Sequence, residues 1–375
     1  MRHHIDHLST IWGQARIISL YEAVQAKFSN DEHQFHKIVT YKVEEKQFHY
    51  NSYYTVVRGL ADYGTPLDRW KFQITCGIRF NCRGEVQPDN PLLFIRFTDP
   101  LQKMSIRAPI TIGSLLETNA IYEETVVEQQ VIGQIEAKSR NKAKEEYIKK
   151  MMRDLLYNQE MAEYNCVVHL VANILGIGDA YEAYSVASSI ATLVMNLPRE
   201  VDKNVPVAQE YIDIWQERVD RFIEQHNLGF LFLNLVNNYK QLYLNSKIFS
   251  LADLLACNNL PTQNDLEAIV LQKLQNNLHQ VPMEATFFRQ HLEAGIVLFN
   301  MRGIDGKRVS LVDTIQSGKY IPFIVSRNDS FAAGITVSDA LGNPDVIKNI
   351  DIYDWYHLAN ELNLNMEEFY QVCGI

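Results

Sequence analysis

The first 136 residues carry two different patterns of hydrophobic and polar positions. Between Ser9 and Phe28 apolar residues recur at helical spacing, which predicts a helical segment over residues 1–35. From residue 36 to residue 136 apolar and polar positions alternate in short runs, such as KIVTYKV, KFQITCGIRF, LLFIRF and ETVVEQQVIG. Turn residues such as Gly64-Thr65-Pro66 separate the runs. Because alternation broken by turns is typical of antiparallel strands, residues 36–136 are predicted to be β-rich.

Beyond residue 136 the pattern changes twice more. Residues 137–291 have the period of amphipathic helices and are predicted to form a helical bundle, in which Ala183, Ala187 and Ala191 form a ridge of small residues. Residues 292–340 are predicted to be β-rich again, because Asp305-Gly306 lies between apolar runs and is typical of a hairpin turn. A helical end is predicted for residues 341–375.

Two β-rich segments therefore flank one helical block. Isolated hairpins seldom fold alone, so the later segment is expected to join the earlier one. The sequence predicts an α+β fold: an antiparallel β-rich domain, built from the N-terminal strands and the late hairpin region, with an inserted helical bundle and a C-terminal helical end.

Composition and charge narrow the function classes. The 375 residues are 47% hydrophobic and 21% charged, as in ordinary folded proteins, and the formal net charge is −10. This acidic balance argues against a general nucleic-acid or anionic-membrane surface, although a local basic patch stays open. The chain shows neither a classical secretory-signal pattern nor a run of 18 apolar residues. We therefore expect a cytoplasmic protein, or one held in an assembled particle, without a membrane partner.

Cofactor and metal sites are not predicted. Five cysteines at scattered positions are typical of reduced thiols rather than of a disulfide framework. No P-loop, dinucleotide-binding glycine pattern, zinc-protease motif or nucleophile elbow occurs. His3 and His7 in HHIDH stand four residues apart, but a closed zinc site needs four ligands and no paired cysteines accompany them. The HHIDH side chains are expected to be solvated.

The stretch EYNCVVHLVANILGIG, residues 163–178, contains a candidate nucleophile. A thiol at a helix N-terminus becomes more acidic, which suits a nucleophile. Tyr164-Asn165-Cys166-Val167 leads into an apolar helix and resembles the Asn-Cys entry of circularly permuted papain-like hydrolases. The resemblance implies a hydrolase or transferase in which Cys166 attacks and a histidine from an earlier strand is the base. His49, in KQFHYNSYY, is the candidate for that base.

Two alternatives to this assignment stay open. The ordinary papain order, with the base after the cysteine, points to His279 or His291 instead. Cys166 is also consistent with a thiol in a core helix, because free cysteine is among the most buried residue types and apolar residues follow it closely.

A basic stretch stands out against the acidic background. It consists of Lys138, Arg140, Lys142, Lys144, Lys149, Lys150 and Arg153. Such a stretch can bind an acidic protein surface or phosphates, or it can be the solvated face of a helix. Aromatic residues that stack on bases are not interleaved, apart from Tyr147, so a protein partner is favoured over nucleic acid.

The favoured function is a non-enzymatic interaction or assembly protein with protein partners, self-assembly included. The absence of catalytic motifs and the 19 tyrosines and 17 phenylalanines available for contacts favour it. A structural component of a large complex, such as a virus or phage particle, fits this class. The alternative is a papain-like cysteine hydrolase or transferase that uses Cys166. A second alternative is a nucleic-acid-associated factor that uses the basic helix over residues 138–153.

Overall fold

The computed structural model describes residues 2–29, 31–46, 48, 53–56, 70–80, 85–98 and 104–316, and the statements below concern those residues. The α+β class is confirmed, because many helices are combined with one antiparallel sheet. The chain forms two compact units. One joins Met1–Gln47 to Ala268–Ile375, and the other is Phe48–Glu267. Along the described ranges we find no helix that is both long enough and apolar enough to cross a membrane.

The unit made from the two ends of the sequence is helical in its described part. Its helices are α1 (Arg2–Ser9), α2 (Ile11–Phe28), α3 (Phe35–Lys46), the later part of α13 (Gln263–His279), α14 (Thr286–Arg302) and α15 (Leu311–Gln316). The core includes Ala23 and Val24 of α2 and Phe288 and Leu292 of α14. Gln14 Nε2 donates to the carbonyl oxygens of Leu8, at 3.2 Å, and Leu292, at 3.1 Å, and so ties α1 and α14 to α2.

Two strand predictions in this unit are wrong. KIVTYKV lies in α3, where Ile38 is buried and Tyr41, one turn later, is half-buried. The start of residues 292–340 lies in α14, whose buried Phe288, Leu292 and Phe299 have a helical period that the apolar residues between them hide.

The prediction of a late β-hairpin around Asp305-Gly306 is also wrong in the part that the structure describes. The chain does turn at Asp305-Gly306, but the turn connects α14 to α15 rather than two strands. The strands predicted within residues 320–339 and the helical end over residues 341–375 lie outside the described residues.

The HHIDH side chains are not solvated as expected. Asp6 is only 1% exposed, and its carboxylate lies 2.9 Å from Arg2 Nε. His7 Nδ1 lies 2.8 Å from the His3 carbonyl oxygen, its ring contacts Trp12, and burial lowers the pKa of His7. Where side chains are described, no three His, Cys, Asp or Glu residues group together as a metal site requires.

The second unit contains a four-stranded antiparallel sheet. Its strands are β1 (Thr55–Val56), β2 (Lys71–Phe80), β3 (Val86–Thr98) and β4 (Met104–Pro109), in the order β1-β4-β3-β2. The strands predicted for KFQITCGIRF and LLFIRF are confirmed as β2 and part of β3, with Gly77 opposite Leu92. Trp70, Phe97 and Ile106 are fully buried and belong to the core of this unit.

Helices form the rest of this unit. They are α4 (Ile112–Gly133), α5 (Ala137–Met151), α6 (Ala162–Leu175), α7 (Ala180–Asn196), α8 (Arg199–Asp202), α9 (Gln209–Trp215), α10 (Glu217–Glu224), α11 (Leu228–Ser246), α12 (Leu251–Cys257) and the start of α13. The predicted ridge of Ala183, Ala187 and Ala191 in α7 is buried. On the same helix, the buried hydroxyls of Ser188 and Thr192 hydrogen-bond to the Asn119 side chain of α4.

The strand predicted for ETVVEQQVIG is wrong, because this run lies in α4. Thr111 and Ser114 form a capping box that starts the helix. Leu115, Thr118 and Asn119 are then buried at helical spacing. The β-branched residues of the run favour a strand locally, but the run continues a helix that this buried first part already anchors, and adding residues to a formed helix costs little. The division of the chain at residues 35, 136, 291 and 340 stays a prediction.

The close approach of α14 to α1 predicts a sharp effect of one added methyl group. A Cβ on Gly295 would overlap the carbonyl oxygen of Leu8. This oxygen belongs to the backbone of α1, so it cannot move away as the end of a flexible side chain could. Gly295→Ala should therefore lower the free energy of unfolding by about 1–3 kcal/mol or more, measured by urea unfolding followed by circular dichroism. Gly133→Ala is the matched control, because a Cβ there meets no atom within 4 Å. Equal stability of the two variants would contradict this packing.

Candidate functional site

The candidate nucleophile Cys166 lies inside α6 and not at its start. α6 begins at Ala162, and only the first four N–H groups of a helix lack a partner, so the Cys166 amide is beyond them. The side chain is fully buried, with Sγ 3.7 Å from the Glu163 carbonyl oxygen. Burial raises the pKa of the thiol to about 12, and hydrogen bonding with Ser114 offsets this only in part. At neutral pH the group is a protonated thiol rather than a nucleophilic thiolate.

The histidines do not complete a catalytic pair among the described residues. His169 follows Cys166 on the same helix, but its Nε2 lies 2.6 Å from the Leu156 carbonyl oxygen. His49 lies outside the described residues, and the alternatives His279 and His291 belong to the other unit. The described residues therefore do not form the Cys–His pair that the resemblance to papain-like hydrolases implies.

Asn165 and His169 instead hold the end of the preceding helical segment. α5 continues into a π-helical turn, Met152–Leu156, where the Leu155 carbonyl oxygen accepts from the Asn158 N–H at 3.2 Å and has room for a second donor. Asn165 Nδ2 donates to the Leu155 carbonyl oxygen at 2.9 Å, and His169 Nε2 donates to the Leu156 carbonyl oxygen at 2.6 Å. These two polar residues, one turn apart, therefore tie α6 to the end of α5.

An aromatic cluster fixes the ring of His169 in this position. Trp70 stacks on it, with 5.6 Å between ring centroids and 24° between planes. Phe97 and Tyr157 contact the same ring at 5.2 and 5.3 Å. The polar positions of the NCVVH segment thus have a structural explanation that involves no catalysis.

A cavity of about 190 Å³ lies beside this turn, but Cys166 does not line it. Its walls come from α5, the π-helical turn, α6 and the start of α7, and they include Ile148, Met152, His169, Ala172 and Tyr181. Most of these side chains are apolar. The cavity therefore does not connect the candidate nucleophile to solvent.

All seven basic side chains of the predicted partner-binding stretch are exposed. Some have acidic neighbours: Lys149 Nζ lies 3.0 Å from Glu146, Lys138 Nζ 3.9 Å from Glu136, and Arg153 pairs with Asp154. Arg140 donates to the Ile135 carbonyl oxygen. Lys142, Lys144 and Lys150 form no ion pair with the residues that the structure describes.

This stretch belongs to a helical hairpin that we call the basic hairpin, residues 124–153. Three residues, 134–136, connect α4 to α5. Apart from Thr125, the described side chains between Glu124 and Glu146 are exposed or half-buried, so the outer part of both helices leaves the core. Val127 and Val131 of α4 are 43% and 53% exposed and stand one turn apart. The hairpin thus presents apolar as well as basic groups to solvent.

A surface of opposite charge lies on α9 and α10, and we call it the acidic surface, residues 209–224. Its acidic side chains Glu210, Asp213, Glu217, Asp220 and Glu224 are all exposed. Ile212, Ile214 and Ile223 among them are 39%, 70% and 40% exposed.

The sequence reasoning missed this surface, although a signal existed. In α9 the inward residues Tyr211 and Trp215 stand four apart and stack on each other. One helical face cannot also bury Ile212 and Ile214, which stand two apart.

Comparison of the chain with protein-family models, curated proteins and solved structures finds no match.

The buried thiol predicts slow chemistry at Cys166. Because the pKa of the thiol is raised, the thiolate fraction at pH 8 is far below that of an ordinary cysteine. We expect iodoacetamide to leave Cys166 unmodified in the folded protein and to modify it after unfolding, measured by peptide mass spectrometry. The half-exposed Cys76 and Cys257 serve as internal references for reagent access. Rapid labelling of folded Cys166 at pH 7 would revive the hydrolase alternative.

The capping role of Asn165 predicts a stability loss without any catalytic readout. Asn165→Ala removes the side-chain donor to the Leu155 carbonyl oxygen, which keeps the Asn158 N–H, and should lower the free energy of unfolding by about 0.5–1.5 kcal/mol. Asn173→Ala on the same helix is the control, because Asn173 bonds only within α6, to the His169 carbonyl oxygen, and is half-buried. Urea unfolding of both variants decides the matter, and a larger loss for Asn173→Ala would refute the capping role.

Proposed function

We propose that the protein is a non-enzymatic interaction and assembly protein that uses the basic hairpin to bind an acidic protein surface. The observation that carries the proposal is the exposure of all seven basic side chains on a hairpin whose outer part leaves the core. Lys142 and Lys150 are exposed and form no ion pair with the described residues, and Lys142 lies on the side of α5 opposite the buried Met151. They are therefore available to another molecule.

The distribution of charge supports this role. Seven basic and two acidic residues give residues 138–153 a formal charge of +5, so the rest of the chain carries −15 out of a total of −10. A concentrated patch of the minority sign attracts an oppositely charged surface over about one Debye length, roughly 8–10 Å at physiological salt.

Apolar groups beside the lysines favour a protein partner over nucleic acid. A protein interface gains affinity from burying side chains such as Val127 and Val131, whereas a phosphate backbone offers them nothing comparable. Tyr147, the aromatic residue within the basic stretch, stacks on Tyr181 of its own chain, with 6.1 Å between ring centroids. It is therefore engaged within the protein rather than free to stack on a base.

A cytoplasmic location, or one within an assembled particle such as a virion, goes with this proposal. The hydrolase alternative receives less support, because its nucleophile is buried and protonated.

The proposal predicts salt-dependent binding of an acidic polypeptide. A fluorescein-labelled, glutamate-rich peptide should bind the protein, and its affinity should fall as salt rises, as measured by fluorescence anisotropy. Lys142→Glu combined with Lys150→Glu should weaken binding by about tenfold or more, since each reversed charge turns attraction into repulsion.

Lys203→Glu combined with Lys240→Glu is the matched control, with the same change of net charge at exposed lysines outside the hairpin. Equal loss in both double variants would show that only net charge matters and would overturn the proposal. Tighter, hairpin-dependent binding of a single-stranded oligonucleotide of equal charge would favour the nucleic-acid alternative.

A further inference from the structure

We infer that the partner of the basic hairpin is a second copy of this chain, which binds through its acidic surface on α9 and α10. The inference rests on the proposed function and goes further by naming the partner and the residues that meet.

Three of the five acidic side chains of this surface, those of Asp213, Glu217 and Asp220, are available for a partner. Asp213 accepts a hydrogen bond from Gln209 Nε2 at 2.8 Å, but within the described part of the chain Asp213, Glu217 and Asp220 form no ion pair. Glu217, Asp220 and Glu224 stand three and four residues apart, so they form one stripe along α10. This stripe faces away from the buried Val219 and Phe222.

The two basic residues within this surface are occupied. Arg221 lies 2.9 Å from Asp89 and 2.7 Å from Glu224. Arg218 lies near Cys76 of β2, where its positive charge offsets part of the rise in the pKa of that thiol that burial causes. Neither neutralises Asp213 or Asp220, so the surface presents negative charge where the hairpin presents positive charge.

Apolar groups match as well as charges. Ile214 is 70% exposed and lies one turn from Glu210, while Ile212 and Ile223 are about 40% exposed. Exposed isoleucines rimmed by carboxylates have the composition of an interface with an apolar centre and a polar rim. Val127 and Val131 supply exposed apolar groups on α4 of the hairpin, whose other helix, α5, carries the lysines.

The two surfaces consist of different residues of the same unit, so their contact is head-to-tail. Such a contact is heterologous, and it produces a closed ring or an open filament rather than a symmetric dimer that buries one patch against itself. This outcome fits an assembly protein.

The decisive experiment uses charge reversal on each surface of the full-length protein. Sedimentation velocity at low salt should show self-association of the unmodified chain. Lys142→Glu with Lys150→Glu, and separately Asp213→Lys with Asp220→Lys, should each weaken it by at least about tenfold. A mixture of the two variants should associate again, because each supplies the surface that fits the other. Both variants keep a negative net charge, so bulk attraction cannot explain that recovery.

Zero-length carbodiimide crosslinking identifies the contact directly. It joins a lysine to a carboxylate only where the two touch. In a mixture of ¹⁴N- and ¹⁵N-labelled copies, we expect crosslinks between isotopes that connect Lys142 or Lys150 to Asp213, Glu217 or Asp220. Glu160→Lys with Glu284→Lys controls for the loss of two exposed carboxylates elsewhere.

The outcomes separate this inference from the proposed function. Association unchanged by Asp213→Lys with Asp220→Lys, or a chain that stays monomeric at low salt, overturns the second-copy inference. In that case, hairpin-dependent binding of the acidic peptide would still support the proposed function. If the hairpin variant keeps both peptide binding and self-association, both fail.

Discussion

Two hydrogen bonds from α6 to the carbonyl oxygens of Leu155 and Leu156 connect the end of α5 to the core, and the described arrangement around this helix depends on them. α5 ends in a π-helical turn, and α6 supplies the Asn165 amide and the His169 ring to its last carbonyl oxygens. A buried carbonyl oxygen without a donor costs about 1–3 kcal/mol. The two donors therefore tie the turn that ends α5 to α6.

Cys166 lies between these two donors on a helix that is buried on most sides. Asn165 and His169 must both face the end of α5, and the residues between them on α6 are held in the surrounding core. The thiol sits among these residues, with Ser114 as a hydrogen-bonding neighbour. An Asn-Cys pair at the start of an apolar helix is therefore consistent with two structures. The cysteine is either an exposed nucleophile or a buried residue of a core helix. The deciding factor is the location of the carbonyl groups that Asn165 and His169 meet.

The position of these carbonyl groups depends on tertiary structure. Local sequence patterns therefore predict some parts of the molecule and not others. The strands β2 and β3, the start of α5 and the exposure of its lysines follow from local period and charge. The helices α3, α4 and α14 were mistaken for strands because β-branched or uninterrupted apolar residues hide the helical period. The capping by Asn165 and His169 could not be predicted, since nothing local marks the π-helical turn. The acidic surface was detectable, because Ile212 and Ile214 cannot share the face that buries Tyr211.

Net charge and local charge act in opposite directions in this protein. A total of −10 makes copies repel one another at long range, which disfavours random association. In the contact that we propose, the +5 stretch of residues 138–153 and the carboxylates of α9 and α10 attract only where they meet, and exposed valines and isoleucines add short-range affinity. Added salt screens both interactions. It weakens the long-range repulsion between whole copies, and it also weakens the attraction between the two charged surfaces at their contact. A head-to-tail contact of this kind is therefore selective at low salt and is sustained by its apolar centre as salt rises.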